Sequence, residues 1–219
     1  MSNDLQKFFG NHAQPDRAKL AESLAGLSAA KQALSGNQAL LRLTKQGVWV
    51  FGADSVALKP GTQLIADPAS LSSGYVAWYM AKPEAEVMQP TSLGPVDPSK
   101  LPEVNSGSIP PGAKKPSGKG WEPQFSIALL TRDKIPLSLL FKTSSVGGSN
   151  CLLGLAGEIA MGLAENEARV YPIIEPGVDS YQHKEFGEVF TPTLTVVGWL
   201  GADGQEVKDL TKLGKDGLL

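Results

Sequence analysis

The stretch AKKPSGKGW sets three lysines, Lys114, Lys115 and Lys119, beside the ring of Trp121. Long cationic side chains next to a flat ring suit an unpaired nucleic-acid strand: the ammonium groups neutralise phosphates while a base stacks on the indole. The competing explanation is a solvated linker whose lysines keep it soluble. Three more aromatics are candidates for stacking, Trp49, Trp78 and Tyr79, and two more cations are candidates for phosphate, Arg132 and Lys142. Any one of these rings, taken singly, is more often a core residue than a ligand contact.

Other chemistries lack their parts. The two histidines are His12, in a loose N-terminal stretch, and His183, in a polar turn. They support neither a His–carboxylate–nucleophile set nor a metal site. The turn SSVGGSN, residues 144–150, runs into an apolar helix and would offer free backbone N–H groups to an anion. No Gly-Lys-Ser/Thr follows it, and the G-x-S-x-G spacing is absent. The single cysteine, Cys151, excludes an internal disulfide and a cysteine-based zinc site and fits a reducing cytosol. It reads as a small buried hydrophobe. Glu158, the one carboxylate within the apolar helix, reads as solvent-facing. These gaps argue against an enzyme, and no cofactor is implied.

The elements that must position these residues are mostly strands. With 24 glycines and 16 prolines in 219 residues, 42 % hydrophobic and only 19 % charged, the chain is turn-rich, with enough apolar material for a core. A net charge of −2 provides no general basic field, so any attraction to nucleic acid must be local. The spacing predicts strands over 124–131 and 137–143, a helix over 151–164, and strands over 170–180 and 191–200. Earlier in the chain, residues 39–56 read as one long strand interrupted by Gly47 and Gly52, with Trp49 and Phe51 on one face. A short strand over 62–66 and another over 74–81 follow; in the latter Tyr75 and Tyr79 oppose Val76, Trp78 and Met80. Eight prolines between Pro83 and Pro116 mark 82–120 as an insertion without regular structure.

Residues 16–34, DRAKLAESLAGLSAAKQAL, carry Leu20, Leu24, Leu27 and Leu34 on one helical face, with Asp16 as N-cap and Gly36 as stop. This is either a surface helix lying on the barrel or a contact between protomers. The organisation is therefore a helical arm (1–37), a β domain (38–200) containing the insertion, and a tail (201–219). No apolar run reads as a membrane span, and MSNDLQKFFG is not a signal peptide, so a cytoplasmic location without a membrane partner is expected.

A helix set between the third and fourth strands of a small β domain is the order of a five-stranded OB-like barrel. The segments FKTSSVGGSN, YPIIEPGVDSYQHKEFGEV and TPTLTVVGWL resemble a group of phage-encoded, single-stranded-DNA-binding proteins of the OB type. That resemblance covers residues 121–200 and implies a role in phage replication or recombination, in the host cytoplasm. The chain departs from such proteins in its tail, where Asp203, Glu206, Asp209 and Asp216 alternate with Lys208, Lys212 and Lys215 instead of forming an acidic run. The expectation is a non-catalytic single-stranded-DNA-binding protein that could self-associate through its N-terminal helix. The alternative is a protein-binding or assembly module, such as a host-factor inhibitor or minor structural protein, with no nucleic-acid role.

Overall fold

Residues Trp121–Thr131, WEPQFSIALLT, alternate between two faces along an extended backbone, and the sheet is laid out on this strand. The structure, a computed structural model, describes residues 38–80, 82–105 and 120–208. Within them the strands are β1 (Ala39–Leu43), β2 (Trp49–Phe51), β3 (Val56–Ala57), β4 (Leu64–Ala66), β5 (Ser72–Tyr79), β6 (Lys82–Pro90), β7 (Trp121–Thr131), β8 (Ser138–Thr143), β9 (Tyr171–His183) and β10 (Gly187–Leu200). One α-helix, α1 (Val146–Glu165), joins β8 to β9.

Strand β7 is long enough to serve two neighbours on one edge. Its C-terminal part pairs with β4 (Ala66 opposite Leu129) and its N-terminal part with β5 (Ala77 opposite Trp121). The corner between β4 and β5 accounts for the ladder bonds at the changeover. Asp67 N donates to Ala128 O (3.1 Å), and Ala128 N donates to the hydroxyl of buried Ser70 (2.8 Å). Both backbone groups of Ala128 are thus satisfied on the edge where neither β4 nor β5 lies opposite it.

The main path runs β10-β9-β4-β7-β8-β1-β2-β3, with β5 and β6 branching from β7. The sheet is curled and open. No strand pairing joins β2 to β9, yet the Trp49 indole N–H donates to Gly177 O at 2.9 Å, so the two ends of the path approach each other. On the inner face α1 buries Leu152, Leu155 and Ile159 against Leu41, Trp49, Ile127, Phe141 and Trp199. Burial of each such aliphatic side chain is worth about 1.5–3 kcal/mol. A smaller cluster, Ile65, Leu130, Ile173 and Leu200, lies apart from it.

Several expectations change. Ten strands are present among the described residues, not five, and α1 follows the eighth of them. The single long strand expected over 39–56 is three short ones. The first part of the proline-rich insertion is strand β6, because its prolines, Pro83 and Pro90, sit at the ends of an edge strand that pairs only with β5. Helix α1 begins at Val146, five residues before the expected start, because Ser145 caps it by accepting from Gly148 N (3.1 Å). At 20 residues and mean hydropathy 1.2, α1 is long and apolar enough to cross a membrane by those two measures, which the sequence reading did not anticipate. The expected N-terminal helix, Lys114, Lys115, Lys119, and the tail beyond residue 208 lie outside the described residues.

Candidate nucleic-acid interface

Alternation along β5 and β7 places three rings on one face. Tyr75, Ala77 and Tyr79 share a side of β5, and Trp121 stands directly opposite Ala77. Diagonal neighbours across an antiparallel pair are about 7–8 Å apart, within reach of aromatic side chains. Trp121 is therefore flanked by Tyr75 and Tyr79, with only a methyl group between them. All three rings are partly exposed. The Trp121 indole N–H donates to Pro102 O at 3.0 Å, which fixes one edge of the ring against the part of the insertion that follows β6. Trp78 points to the opposite face from Tyr79 and is half-buried.

Trp49 does not belong to this surface. Its ring lies in the core, edge-on to Phe141 at 5.3 Å, and its N–H is committed to Gly177. Placement on β2, between β1 and the terminal strand β3, turns it inward, and a stacking role for Trp49 is corrected to a structural one.

The second aromatic group is one the sequence reading missed. Beyond Gly177 the β9–β10 ribbon becomes exposed, and Asp179–Gln182 have no buried residue among them. At its tip the His183 and Phe186 rings stack (4.7 Å between centroids, 26° between planes), and Tyr181 meets His183 edge-on at 6.5 Å. Phe186 is 73 % exposed and Tyr181 51 %. Glu185 N donates to His183 Nδ1 (3.1 Å), holding the imidazole under the turn. The signal was present in YQHKEF, where three rings fall within six residues around a turn.

The cations are placed less favourably for phosphate. Lys142 Nζ pairs with Glu86 Oε1 at 2.6 Å, and Gln124 donates to that same oxygen at 2.9 Å. Arg132 lies just past the far end of β7, where it donates to Gln63 Oε1 (2.9 Å) and pairs with Glu206. At about 3.3 Å per residue, roughly 35 Å of strand separates Arg132 from Trp121. These two cations and the aromatic face are not one cluster.

Two remaining sequence motifs also resolve. The SSVGGSN turn is mostly helix. Its glycines permit close packing: a Cβ on Gly148 would lie 2.1 Å from Thr143 Oγ1, and one on Gly147 would lie 2.9 Å from Thr191. The Ser145 hydroxyl takes Gly148 N, one of the N–H groups that the turn was expected to offer to an anion. Burial pushes the Cys151 thiol up to about 12, with Glu158 adding to the effect, so it stays protonated at neutral pH. Glu158 is exposed, as expected, and accepts from Val196 N at 3.2 Å beside the irregularity in β10. Among the described residues no group of three His, Cys, Asp or Glu side chains is placed to hold a metal ion. Comparison with family models, with curated proteins and with solved structures finds no match for this chain.

Proposed function

We propose that this protein binds single-stranded DNA without catalysing a reaction, in the setting of phage replication or recombination. The observation that carries the proposal is the shared face of Tyr75, Tyr79 and Trp121, three partly exposed rings in register on adjacent strands. Bases stack on such a row whatever their identity, because every base has a π-face. The curled open sheet with its one helix after β8 supports an OB-like reading of the fold. In the sequence, Lys119 precedes Trp121 by two residues, with Lys114 and Lys115 a few positions before it. The exposed ring cluster at the β9–β10 tip offers a second contact for the same strand.

A second reading, a protein-binding or assembly module, is favoured by one specific observation. Lys142 and Arg132 are paired with carboxylates, and the molecule carries net −2. Titration with oligo-dT, followed by tryptophan fluorescence and by mobility shift at low salt, separates the two. Binding is expected to quench Trp121, and Trp121→Ala is expected to weaken it by about 1–3 kcal/mol. Phe186→Ala is expected to weaken it as well without changing the melting temperature. A parent protein that neither quenches nor shifts would remove the DNA reading and leave the protein-binding module.

A further inference from the structure

The end of β6 does not end the contact between the insertion and the sheet. Ala85 stands opposite Ala77, which stands opposite Trp121, so β6 shares the ring-bearing face through Ala85, Val87 and Gln89. Residues 94–105, GPVDPSKLPEVN, are tied to that face by side chains. Gln89 Nε2 donates to Gly94 O at 2.7 Å, and the Trp121 indole holds Pro102 O further along. Asn105 then donates through its backbone N (2.9 Å) and its Nδ2 (2.7 Å) to Glu84 Oε1. Glu84 is the extra residue where the β5–β6 register shifts, next to Ala85. From Gly94 to Asn105 the contacts move from Gln89 back to Glu84, so the segment runs antiparallel to β6 across the aromatic face. Its residues sort to match: Val96, Leu101 and Val104 are half-buried, while Asp97, Ser99, Lys100 and Glu103 are exposed. Ala77, at the centre of the ring row, has no exposed surface, as expected beneath a cover.

We propose that residues 94–105 are a displaceable strap, an internal competitor that must lift from the face of Tyr75, Tyr79 and Trp121 before a single strand can stack there. The inference rests on the DNA reading above. Three observations make the strap the part that moves. The backbone bonds it makes among the described residues are local: Gly94 N to Thr91 O, Lys100 N to Asp97 O, and Leu101 N to Pro98 O. The rings, in contrast, stand on strands held by ladders. No residue of the strap is buried, and segments with few buried contacts open at low cost. Its charges are Asp97 and Glu103 against Lys100, so the docked strap sets net negative charge over a face that a polyanion would approach. A strap closed for about nine-tenths of the time lowers the apparent affinity for the strand about tenfold below that of the open face.

Titration of the full chain with oligo-dT, beside amide hydrogen exchange, tests the strap and the DNA reading separately. Val96→Ser/Leu101→Ser removes apolar contacts of the strap without adding charge, and Asn105→Ala removes one of its ties to Glu84. Both variants are expected to bind oligo-dT more tightly than the parent, on the order of tenfold for the double variant, with the melting temperature unchanged. In the parent, saturating oligo-dT is expected to speed exchange at the amides of Lys100, Leu101 and Asn105, which are hydrogen-bonded in the docked strap. Parent and variants that bind oligo-dT with equal affinity would overturn the strap and leave the DNA reading standing. Weaker binding by the variants, or slower exchange of the strap in the complex, would also overturn it, because the segment would then be part of the contact. Absence of binding by the parent and by both variants would remove the DNA reading and the strap together.

Discussion

Trp49 is the residue at which local chemistry and long-range structure meet most plainly. Its ring fills the core beside Phe141, while its N–H reaches Gly177, 128 positions along the chain, and ties one margin of the curled sheet to the other. Trp49→Phe keeps an aromatic ring but leaves the Gly177 carbonyl without this donor. The expected loss is about 1–3 kcal/mol of unfolding free energy, read as a lower urea midpoint. An unchanged midpoint would mean the indole bond contributes nothing. The sequence indicated that Trp49 shares a face with Phe51, because strand alternation is local. Which of the two faces would be the inner one depends on where β2 falls in the strand order, and no local rule supplies that.

Among the elements, α1 and the β9–β10 ribbon show opposite uses of exposure. The inner side of α1 is packed so closely that a Cβ on Gly162 would come within 2.1 Å of the Trp199 ring, over which the Arg169 guanidinium also sits at 5.7 Å. Gly162→Ala should therefore destabilise the protein by about 1–3 kcal/mol although alanine is the better helix former, since overpacking outweighs the roughly 1 kcal/mol of propensity gained. A higher melting temperature in Gly162→Ala would show that the helix can shift away from Trp199 without cost. The ribbon, by contrast, extends past its anchor at Gly177 with β9 exposed from Val178 to Gln182 and the facing part of β10 half-buried, and it presents Tyr181, His183 and Phe186 around its tip. The sequence alone predicts a strand ending at Ser180 and another beginning at Thr191, with 181–188 a polar turn. Polar residues in a two-stranded ribbon look like a loop, because neither face is buried to impose an apolar alternation.

For the whole molecule the governing quantity is charge. With net −2 and with Lys142 and Arg132 engaged by Glu86 and Glu206, attraction to a polyanion must come from few cations. Replacing Lys114, Lys115 and Lys119 together by alanine is expected to reduce the slope of log affinity for oligo-dT against log salt by about 2, since each phosphate contact on a single strand contributes about 0.7. A slope unaltered by the triple substitution would place the phosphate contacts elsewhere. The sequence by itself determined the class of the molecule: mainly β, with the single described helix in its place along the chain and the β7 and β8 strands nearly to their ends. Those features follow from side-chain periodicity and turn chemistry, which act over a few residues. Only the tertiary structure decided that β7 serves two strands on one edge, that Trp49 belongs to the core, that Tyr75 joins Trp121 and Tyr79, and that the Gly147–Gly148 pair is for packing. Each of those outcomes depends on contacts between segments far apart in the chain, and the free energy of such contacts is set by which strands become neighbours rather than by any stretch read alone.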